Sequence, residues 1–298
     1  MVNARDLALL RLESKHLRLA LVPSLGGSIL RLDSVTEKGV WPVLRGAERT
    51  LRTVLEMGSF PLVPYSNRIR GGRFSFRGRE VRIAPNMPPD PSPLHGHGWL
   101  GAWDVVSSGG ASAELRFLHE PGEWPWRYEA WQRFALTDHA LDIRLGCRNL
   151  SDDPMPCGLG QHPYFHCTAG TRLDTEVEGA WEIDENVLPT GRVPATGRYD
   201  LRDRAVCGQG LDHGFDGWKG RAVIRTPGAP FAIEMSSPDA SCFQLYSPPE
   251  GGLFVAEPVT HANAALNAPE AEWARLGLRV LEPGEEMVLD ARIALLPA

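Results

Sequence analysis

A chain of 298 residues, 43% hydrophobic and 23% charged, has a globular composition and is long enough to bury a sizeable core. Its formal net charge of −6 argues against general affinity for nucleic acids or anionic membranes, so we expect neither kind of partner. The 31 glycines and 25 prolines are spread along the chain, which suits many turns between short strands.

The amino-terminal residues and the cysteines predict the compartment. The start lacks the apolar stretch of a secretory signal, and no uninterrupted apolar run reaches transmembrane length. Five cysteines are an odd number and include no C-x-x-C pair, so neither a disulfide framework nor a zinc ribbon is indicated. We therefore expect free thiols in a cytoplasmic protein. The sequence does not distinguish a monomer from a homodimer.

Apolar and polar residues alternate with a period of two through most of the chain, which predicts half-buried antiparallel strands. The alternation is clearest in residues 17–21, 126–134, 141–148, 231–235 and 287–295. Helical periodicity is confined to two short segments, residues 47–57 and 269–276. With no internal repeat or linker, the pattern predicts one all-β domain over residues 1–298, built as a large sandwich or barrel.

The first polar cluster along the chain surrounds Asn67 and Arg68. Two prolines precede it, and a glycine pair leads into a predicted strand over residues 73–76. An amide beside a guanidinium offers several donors and an acceptor, which suits sugar hydroxyls. The alternative is a loop in which the arginine caps backbone carbonyls.

An H-x-H pair, His95 and His97, comes next, with Trp99 and Trp103 just beyond it. In an extended chain the two histidines would share one face and suggest a metal site. However, two histidines do not close a coordination sphere, and the glutamate that a cupin-like motif needs is absent at that spacing. The tryptophans favour either stacking on a sugar face or the core. The aromatic turn at residues 121–126 is compatible with a cleft wall or with an ordinary strand entry.

Three further segments carry polar side chains at predicted strand ends. Pro163 biases His162 toward an extended conformation beside two aromatic residues, although a satisfied structural histidine explains the same pattern. Asp212 could accept hydrogen bonds from neighbouring sugar hydroxyls, or form an Asx turn. Glu257 ends an apolar strand, where burial would raise its pKa and make it a base near neutral pH. A solvated or paired surface carboxylate is the alternative for Glu257.

Taken in order, these segments resemble the aldose 1-epimerase (galactose mutarotase) family over nearly the whole chain. The matching pieces are Asn67-Arg68-Ile69, Leu94-His95-Gly96, His162-Pro163-Tyr164-Phe165, Asp212-His213-Gly214-Phe215, Gln244-Leu245-Tyr246, Glu257-Pro258 with residues 262–267, and the Gly26-Gly27 pair.

The resemblance implies a large antiparallel β-supersandwich that converts one anomer of an aldose into the other without a cofactor or metal. It implies that His162 is the general acid and Glu257 the general base. It also implies that sugar oxygens are bound by five residues: Asn67, Arg68, His95, Asp212 and Gln244. Small-molecule aldoses are then the expected partners.

Three departures from the family pattern lie beside the implied acid and leave the sugar open. Gln161 stands where an asparagine is usual, Pro163 replaces the commoner threonine, and His166 replaces an asparagine. The roles of His97, His166 and Asp216 stay unassigned.

Four alternative functions are kept. An epimerase of hexose 6-phosphates would need a basic pocket, to which Arg70 and Arg73 could contribute. A non-catalytic carbohydrate-binding protein would need the aromatic residues, Arg68 and Asp212 but no acid–base pair. A glycoside hydrolase would commonly use two carboxylates rather than one glutamate and one histidine. The fourth alternative is a metal-dependent isomerase of the cupin type.

Overall fold

The structure, a computed structural model, describes residues 2–3, 8–46, 50–51 and 53–297. Within these ranges the chain forms 27 β-strands, one short α-helix and four 3-10 turns. The first strands are β1 Val2–Asn3, β2 Leu10–Glu13, β3 Leu17–Val22, β4 Ser28–Thr36, β5 Gly39–Pro42, β6 Thr50–Leu51, β7 Pro61–Leu62, β8 Arg73–Phe76, β9 Arg79–Arg82, β10 Asp104–Gly109, β11 Ser112–His119, β12 Tyr128–Leu136 and β13 Ala140–Asn149.

The second half of the chain continues the same architecture. Its strands are β14 Met155–Cys157, β15 Gly160–Gln161, β16 Tyr164–His166, β17 Arg172–Thr175, β18 Gly179–Ile183, β19 Pro189–Pro194, β20 Arg204–Ala205, β21 Leu211–Asp216, β22 Arg221–Arg225, β23 Phe231–Ser236, β24 Cys242–Ser247, β25 Leu253–Val259, β26 Arg279–Leu281 and β27 Glu286–Pro297. The α-helix, α1, spans Glu270–Trp273.

Two large antiparallel sheets dominate the fold. One has nine strands in the order β10-β11-β12-β13-β27-β23-β22-β17-β20. The other has eight strands in the order β19-β18-β21-β24-β25-β15-β7, and β16 also pairs with β25. A four-stranded sheet, β2-β3-β4-β5, and three two-stranded sheets complete the structure. The prediction of an all-β antiparallel supersandwich is confirmed.

Both large sheets contribute to a continuous hydrophobic core. Polar side chains also link them: Gln161 of β15 donates from Nε2 to Oε1 of Gln132 on β12, at 3.3 Å. Gln132 in turn donates to the carbonyl of Gly27 at 3.0 Å. Because buried amides must find partners, this chain of hydrogen bonds ties the two large sheets together at one place.

The tryptophans belong to the core and not to a sugar-stacking surface. Trp99, Trp103, Trp124 and Trp126 are all buried. Trp99 donates its indole N–H to the carbonyls of Leu94 and Gly96, and Trp103 donates to Gly98.

Helical structure is short, as the sequence predicts. The segment at residues 269–276 contains α1. In the segment at residues 47–57 a single 3-10 turn forms over Val54–Glu56, while residues 47–49 and 52 lie outside the described ranges. No described helix combines the length and hydropathy that crossing a membrane requires.

Candidate active site

A cavity of about 280 Å³ lies at the eight-stranded sheet, and it gathers all seven residues that the sequence singled out. Its walls also contain aromatic and apolar side chains. The lining comprises Leu55, Asn67, Arg68, Met87, Leu94, His95, His162, Tyr164, Asp212, Gln244, Tyr246 and Glu257.

The register of the sheet explains why distant parts of the sequence meet here. Gly160 pairs with Val259 and Tyr164 pairs with Val255, so His162, between them, stands opposite Glu257. On the other side of β25, Glu257 pairs directly with Gln244. Residues opposite one another in a sheet have Cβ atoms about 5 Å apart. His162, Glu257 and Gln244 therefore form one row across the sheet.

The row continues to Gly214, which pairs with Gln244. A methyl group at Gly214 would lie 3.1 Å from the Gln244 Oε1 and 3.8 Å from a carbon of the Trp181 indole. The missing side chain leaves room for the Gln244 amide, which donates from Nε2 to Asp212 Oδ1 at 2.7 Å. Asp212 sits two residues before Gly214, on the same face of β21.

His162 is held by its backbone and by an aromatic neighbour. Its N–H donates to the carbonyl of Phe60 at 3.0 Å, and its ring stacks on the Phe60 ring with centroids 4.4 Å apart. Its Nε2 lies 3.4 Å from Glu257 Oε1, and both side chains are almost fully buried. This places a potential proton donor and a potential proton acceptor against each other in the cavity wall.

Burial shifts both groups toward their neutral forms. The pKa of His162 falls to about 3, mainly because the ring is desolvated and also because Arg45 is nearby. The pKa of Glu257 rises well above 4.5, through desolvation and then the charge of Asp212, against the opposing effect of Arg68. Since one partner gives up its proton easily and the other holds it, the pair carries one proton over a broad pH range.

The pair also leaves two polar atoms without partners. Nδ1 of His162 and Oε2 of Glu257 are buried and form no hydrogen bond with any of the described residues. Eight other buried side-chain atoms of the described residues also lack partners, but these two belong to side chains that line the cavity.

His95 and Asn67 hold each other through reciprocal hydrogen bonds. The His95 N–H donates to the Asn67 carbonyl, and the Asn67 N–H donates to His95 Nδ1, both at 3.0 Å. Burial lowers the pKa of His95 well below 6.5, and the neighbouring His162 and Arg68 lower it further. Because Nδ1 accepts a hydrogen bond, the neutral ring carries its proton on Nε2 and can donate it to a ligand oxygen.

Both residues take an uncommon backbone conformation. The φ angle is +57° at Asn67 and +60° at His95, in the left-handed region that costs a non-glycine residue about 1 kcal/mol or more. The reciprocal hydrogen bonds and burial of the pair stabilise this geometry, which directs both side chains to the cavity.

Arg68 supplies a cation at the edge of the cavity, held by an unpredicted partner. Its Nε donates to Asp90 Oδ2 at 2.9 Å, and its Nη1 donates to Asn67 Oδ1 at 3.1 Å. Burial raises the pKa of Asp212, while Arg68 and the hydrogen bond from Gln244 lower it. The carboxylates and the guanidinium thus share one electrostatic environment.

Sequence reasoning expected the aromatic Tyr164 beside His162, but it missed Asp90 and the walls made by Leu55, Met87 and Tyr246. Tyr164 lies next to the predicted His162, and Arg45 stacks under it with Cζ 3.8 Å from the ring centroid. Tyr246 follows Gln244 by two residues, so strand periodicity would have placed it on the same face. No local pattern marks Asp90 or Met87, because each depends on how one proline-rich loop folds back.

His97 and Asp216, whose roles the sequence left unassigned, lie outside this cavity. Positive φ angles at His95 and Gly96 turn His97 away from His95, and His97 stacks on His119 with ring centroids 4.4 Å apart. Asp216 is paired with Arg192 through hydrogen bonds of 2.6 and 2.7 Å. Within the described ranges, no group of three or more His, Cys, Asp or Glu residues is arranged to hold a metal ion.

The three departures near His162 do not line the cavity either. Gln161 faces the interior and bonds Gln132, and His166 is exposed to solvent. Pro163, which has no N–H, lies at the break between β15 and β16. None of these side chains is therefore placed to select the sugar.

Comparisons with known proteins agree on one family. The family model for aldose 1-epimerase matches residues 8–294. The crystal structure of an Escherichia coli K12 protein, provisionally described as an aldose 1-epimerase, superposes with a TM-score of 0.89 at 30% identity, covering 98% of this chain and 99% of that one. The uncharacterized protein YphB from Escherichia coli K12 is 34% identical over 276 residues, or 86% of this chain and 92% of YphB.

Relatives that match a smaller part of the chain include a galactose mutarotase. Rat galactose mutarotase is 30% identical over 170 residues. That match covers 51% of this chain and 48% of the rat protein, so this chain spans about half the length of that relative.

Proposed function

The chain belongs to the aldose 1-epimerase family, and on this basis we propose that it is a mutarotase that interconverts the α and β anomers of an aldose. The observation that carries the proposal is the buried contact of 3.4 Å between His162 Nε2 and Glu257 Oε1. Around this contact the cavity supplies donors and acceptors suited to sugar hydroxyls.

The reaction needs one proton to leave the sugar and one to enter it. Glu257 takes the proton of the anomeric hydroxyl. The electron pair of that O–H bond then forms the C1 carbonyl. The bond from C1 to the ring oxygen breaks, and that oxygen takes a proton from His162. After rotation about C1–C2, the ring closes on the other face of the carbonyl by the reverse transfers. Each positioned proton transfer contributes about 10² to 10⁴ in rate.

The protonation that burial favours in the pair differs from the form that reacts. Catalysis needs one proton shared between His162 and Glu257, in addition to the protons of the sugar. Burial places that proton mainly on Glu257, and its transfer across the 3.4 Å contact produces the imidazolium and carboxylate that open the ring. The pair ends each turnover with the same single proton, so no net proton exchange with solvent is required.

The other predicted residues act on the sugar oxygens in this proposal. His95, neutral and protonated on Nε2, donates to an oxygen that gains charge in the transition state. Arg68 donates from its remaining N–H groups. Asp212, oriented by the 2.7 Å hydrogen bond from Gln244, accepts from sugar hydroxyls.

The charges around the cavity favour an uncharged aldose over a hexose 6-phosphate. Arg68 is already paired with Asp90, and the acidic side chains of Asp212 and Glu257 line the same space. Arg70 donates to the carbonyl of Pro189 and lies 3.6 Å from Asp184. A phosphate dianion needs several uncommitted cations, and the cavity lining offers none beyond Arg68.

Polarimetry tests the proposal. Pure α-anomers of galactose, glucose and other aldoses are dissolved with and without the protein, in the presence of a chelator. Galactose comes first because the rat relative is a galactose mutarotase. We expect faster relaxation to an unchanged final rotation and little inhibition by glucose 6-phosphate. Sugar binding without acceleration across the panel would contradict the proposal and favour a carbohydrate-binding protein.

A further inference from the structure

We propose that Asp90 is a positioning residue, which fixes the Arg68 guanidinium at the cavity edge and partly offsets its charge. The inference rests on the proposed function, since it concerns how Arg68 meets a sugar. It begins from the hydrogen bond of 2.9 Å between Arg68 Nε and Asp90 Oδ2. The two side chains are only 11% and 12% exposed, which distinguishes this ion pair from the many pairs at the protein surface.

The hydrogen bonds of Arg68 show what Asp90 controls. A guanidinium has five N–H groups in a fixed plane. One is given to Asp90 and one to Asn67 Oδ1, and among the described residues no other accepts from the guanidinium. Held by its Nε edge and by Nη1, the plane cannot rotate freely, so the remaining N–H groups keep one orientation at the cavity edge.

Asp90 itself is fixed by the loop that carries it. Its second oxygen, Oδ1, accepts the N–H of Ser92 at 2.9 Å, and its own N–H donates to the carbonyl of Met87 at 3.0 Å. The start of this loop is anchored by Asn86, whose amide forms hydrogen bonds of 2.8 and 2.7 Å with the N–H and carbonyl of Leu94. The loop thereby positions Met87 as a cavity wall and Asp90 behind Arg68.

We expect the charge of Asp90 to act on Glu257 indirectly, through Arg68 and Asp212. Arg68 lowers the pKa of both Glu257 and Asp212, and Asp90 raises that of Asp212. Neutralising Asp90 leaves the positive charge of Arg68 less compensated. The Glu257 pKa then falls further, and the pair loses its single proton at a lower pH.

The test compares Asp90→Asn and Asp90→Ala with the wild type by polarimetry. The asparagine retains a hydrogen-bond acceptor, so we expect only a small change in KM. Because it removes the negative charge, we expect the alkaline limb of the kcat/KM profile to move to a pH about half a unit lower. The alanine releases the guanidinium, and we expect KM to rise about tenfold. If Asp90 acts through Arg68, Asp90→Ala will raise KM no further in an Arg68→Met background.

Asp33→Asn is the matched control. Asp33 is a buried carboxylate that accepts two hydrogen bonds from Arg31 in the four-stranded sheet and does not line the cavity. We expect it to reduce the free energy of unfolding without changing KM or the pH limb. If the wild type is active and both Asp90 variants keep its KM and its alkaline limb, the inference is wrong but the proposed function still stands. A wild type that accelerates no sugar overturns the proposed function and, with it, this inference.

Discussion

His162 and Glu257 face each other because their strand segments share one register, although Pro163 interrupts the pairing beside them. The pairs Gly160–Val259 and Tyr164–Val255 flank the contact, and His162 Nε2 reaches Glu257 Oε1 at 3.4 Å. The sheet thus fixes the distance between the proposed acid and the proposed base. At the break in the ladder, the N–H groups of His162 and Tyr164 donate instead to the carbonyls of Phe60 and Gly58, which keeps the His162 side chain in the row.

The protonation of this pair predicts a bell-shaped dependence of kcat/KM on pH. Below about pH 3 His162 is also protonated, and above the raised pKa of Glu257 the pair has no proton to donate. Because Asp212 raises that upper pKa, Asp212→Asn should move the alkaline limb to lower pH as well as raise KM. A limb that stays in place in Asp212→Asn would contradict the assignment of the limb to Glu257.

Gly214 predicts a variant that disturbs Asp212 without changing any residue of the cavity lining. In Gly214→Ala the new methyl group meets Gln244 Oε1 at 3.1 Å, and we expect it to displace the amide from Asp212. KM should rise roughly fivefold if the misoriented Asp212 loses about 1 kcal/mol of hydrogen bonding to the sugar. The free energy of unfolding, measured in urea, should also fall by about 1 kcal/mol, because the displaced hydrogen bond lies within the protein.

Gly191→Ala in β19 is the control for that substitution. Its new methyl group would have only the Glu182 carboxylate, at 3.9 Å, within contact distance. KM should be unchanged there. An equal rise in KM in both variants would mean that the effect is not specific to Gln244.

Two histidines with desolvated rings, His97 and His261, predict acid sensitivity of the fold. The pKa values of His97 and His261 fall to about 4 through burial, against about 6.5 when unfolded. Between these values the unfolded chain binds more protons, so the free energy of unfolding decreases as pH falls from 6.5 to 4. His97→Phe keeps an aromatic stack on His119 and should remove about 2 kcal/mol of this loss. Urea unfolding of the wild type and of His97→Phe at pH 7 and pH 4.5 measures this loss. If both proteins lose the same free energy of unfolding between the two pH values, His97 is not a source of the acid sensitivity.

The all-β architecture could be predicted from the sequence on physical grounds, whereas the full set of seven cavity residues came from the resemblance to the family. Period-two alternation reports which face of a strand is buried, and it marked β3, β12, β13, β23 and β27. The polar residues that interrupt apolar strands, such as Glu257, stand out for the same reason.

What the sequence could not provide depends on contacts between distant segments. The alternation rule would place His95 and His97 on one face, but positive φ angles at His95 and Gly96 send them apart. Asp90 sits among prolines with no periodicity, and its role follows only from its 2.9 Å hydrogen bond to Arg68. Strand alternation sends Gln161 and His162 to opposite faces, but nothing local predicts that Gln161 bonds Gln132 of the other large sheet.

The most direct test of the account is polarimetry of Glu257→Gln beside the wild type and Glu37→Gln. Glu37 is exposed, so its substitution is the same chemical change outside the cavity. We predict that the wild type and Glu37→Gln accelerate the relaxation of an α-aldose equally. Glu257→Gln should be about 10² to 10⁴ slower, with its unfolding midpoint retained. Full activity in a folded Glu257→Gln variant would contradict the role of this carboxylate as the base.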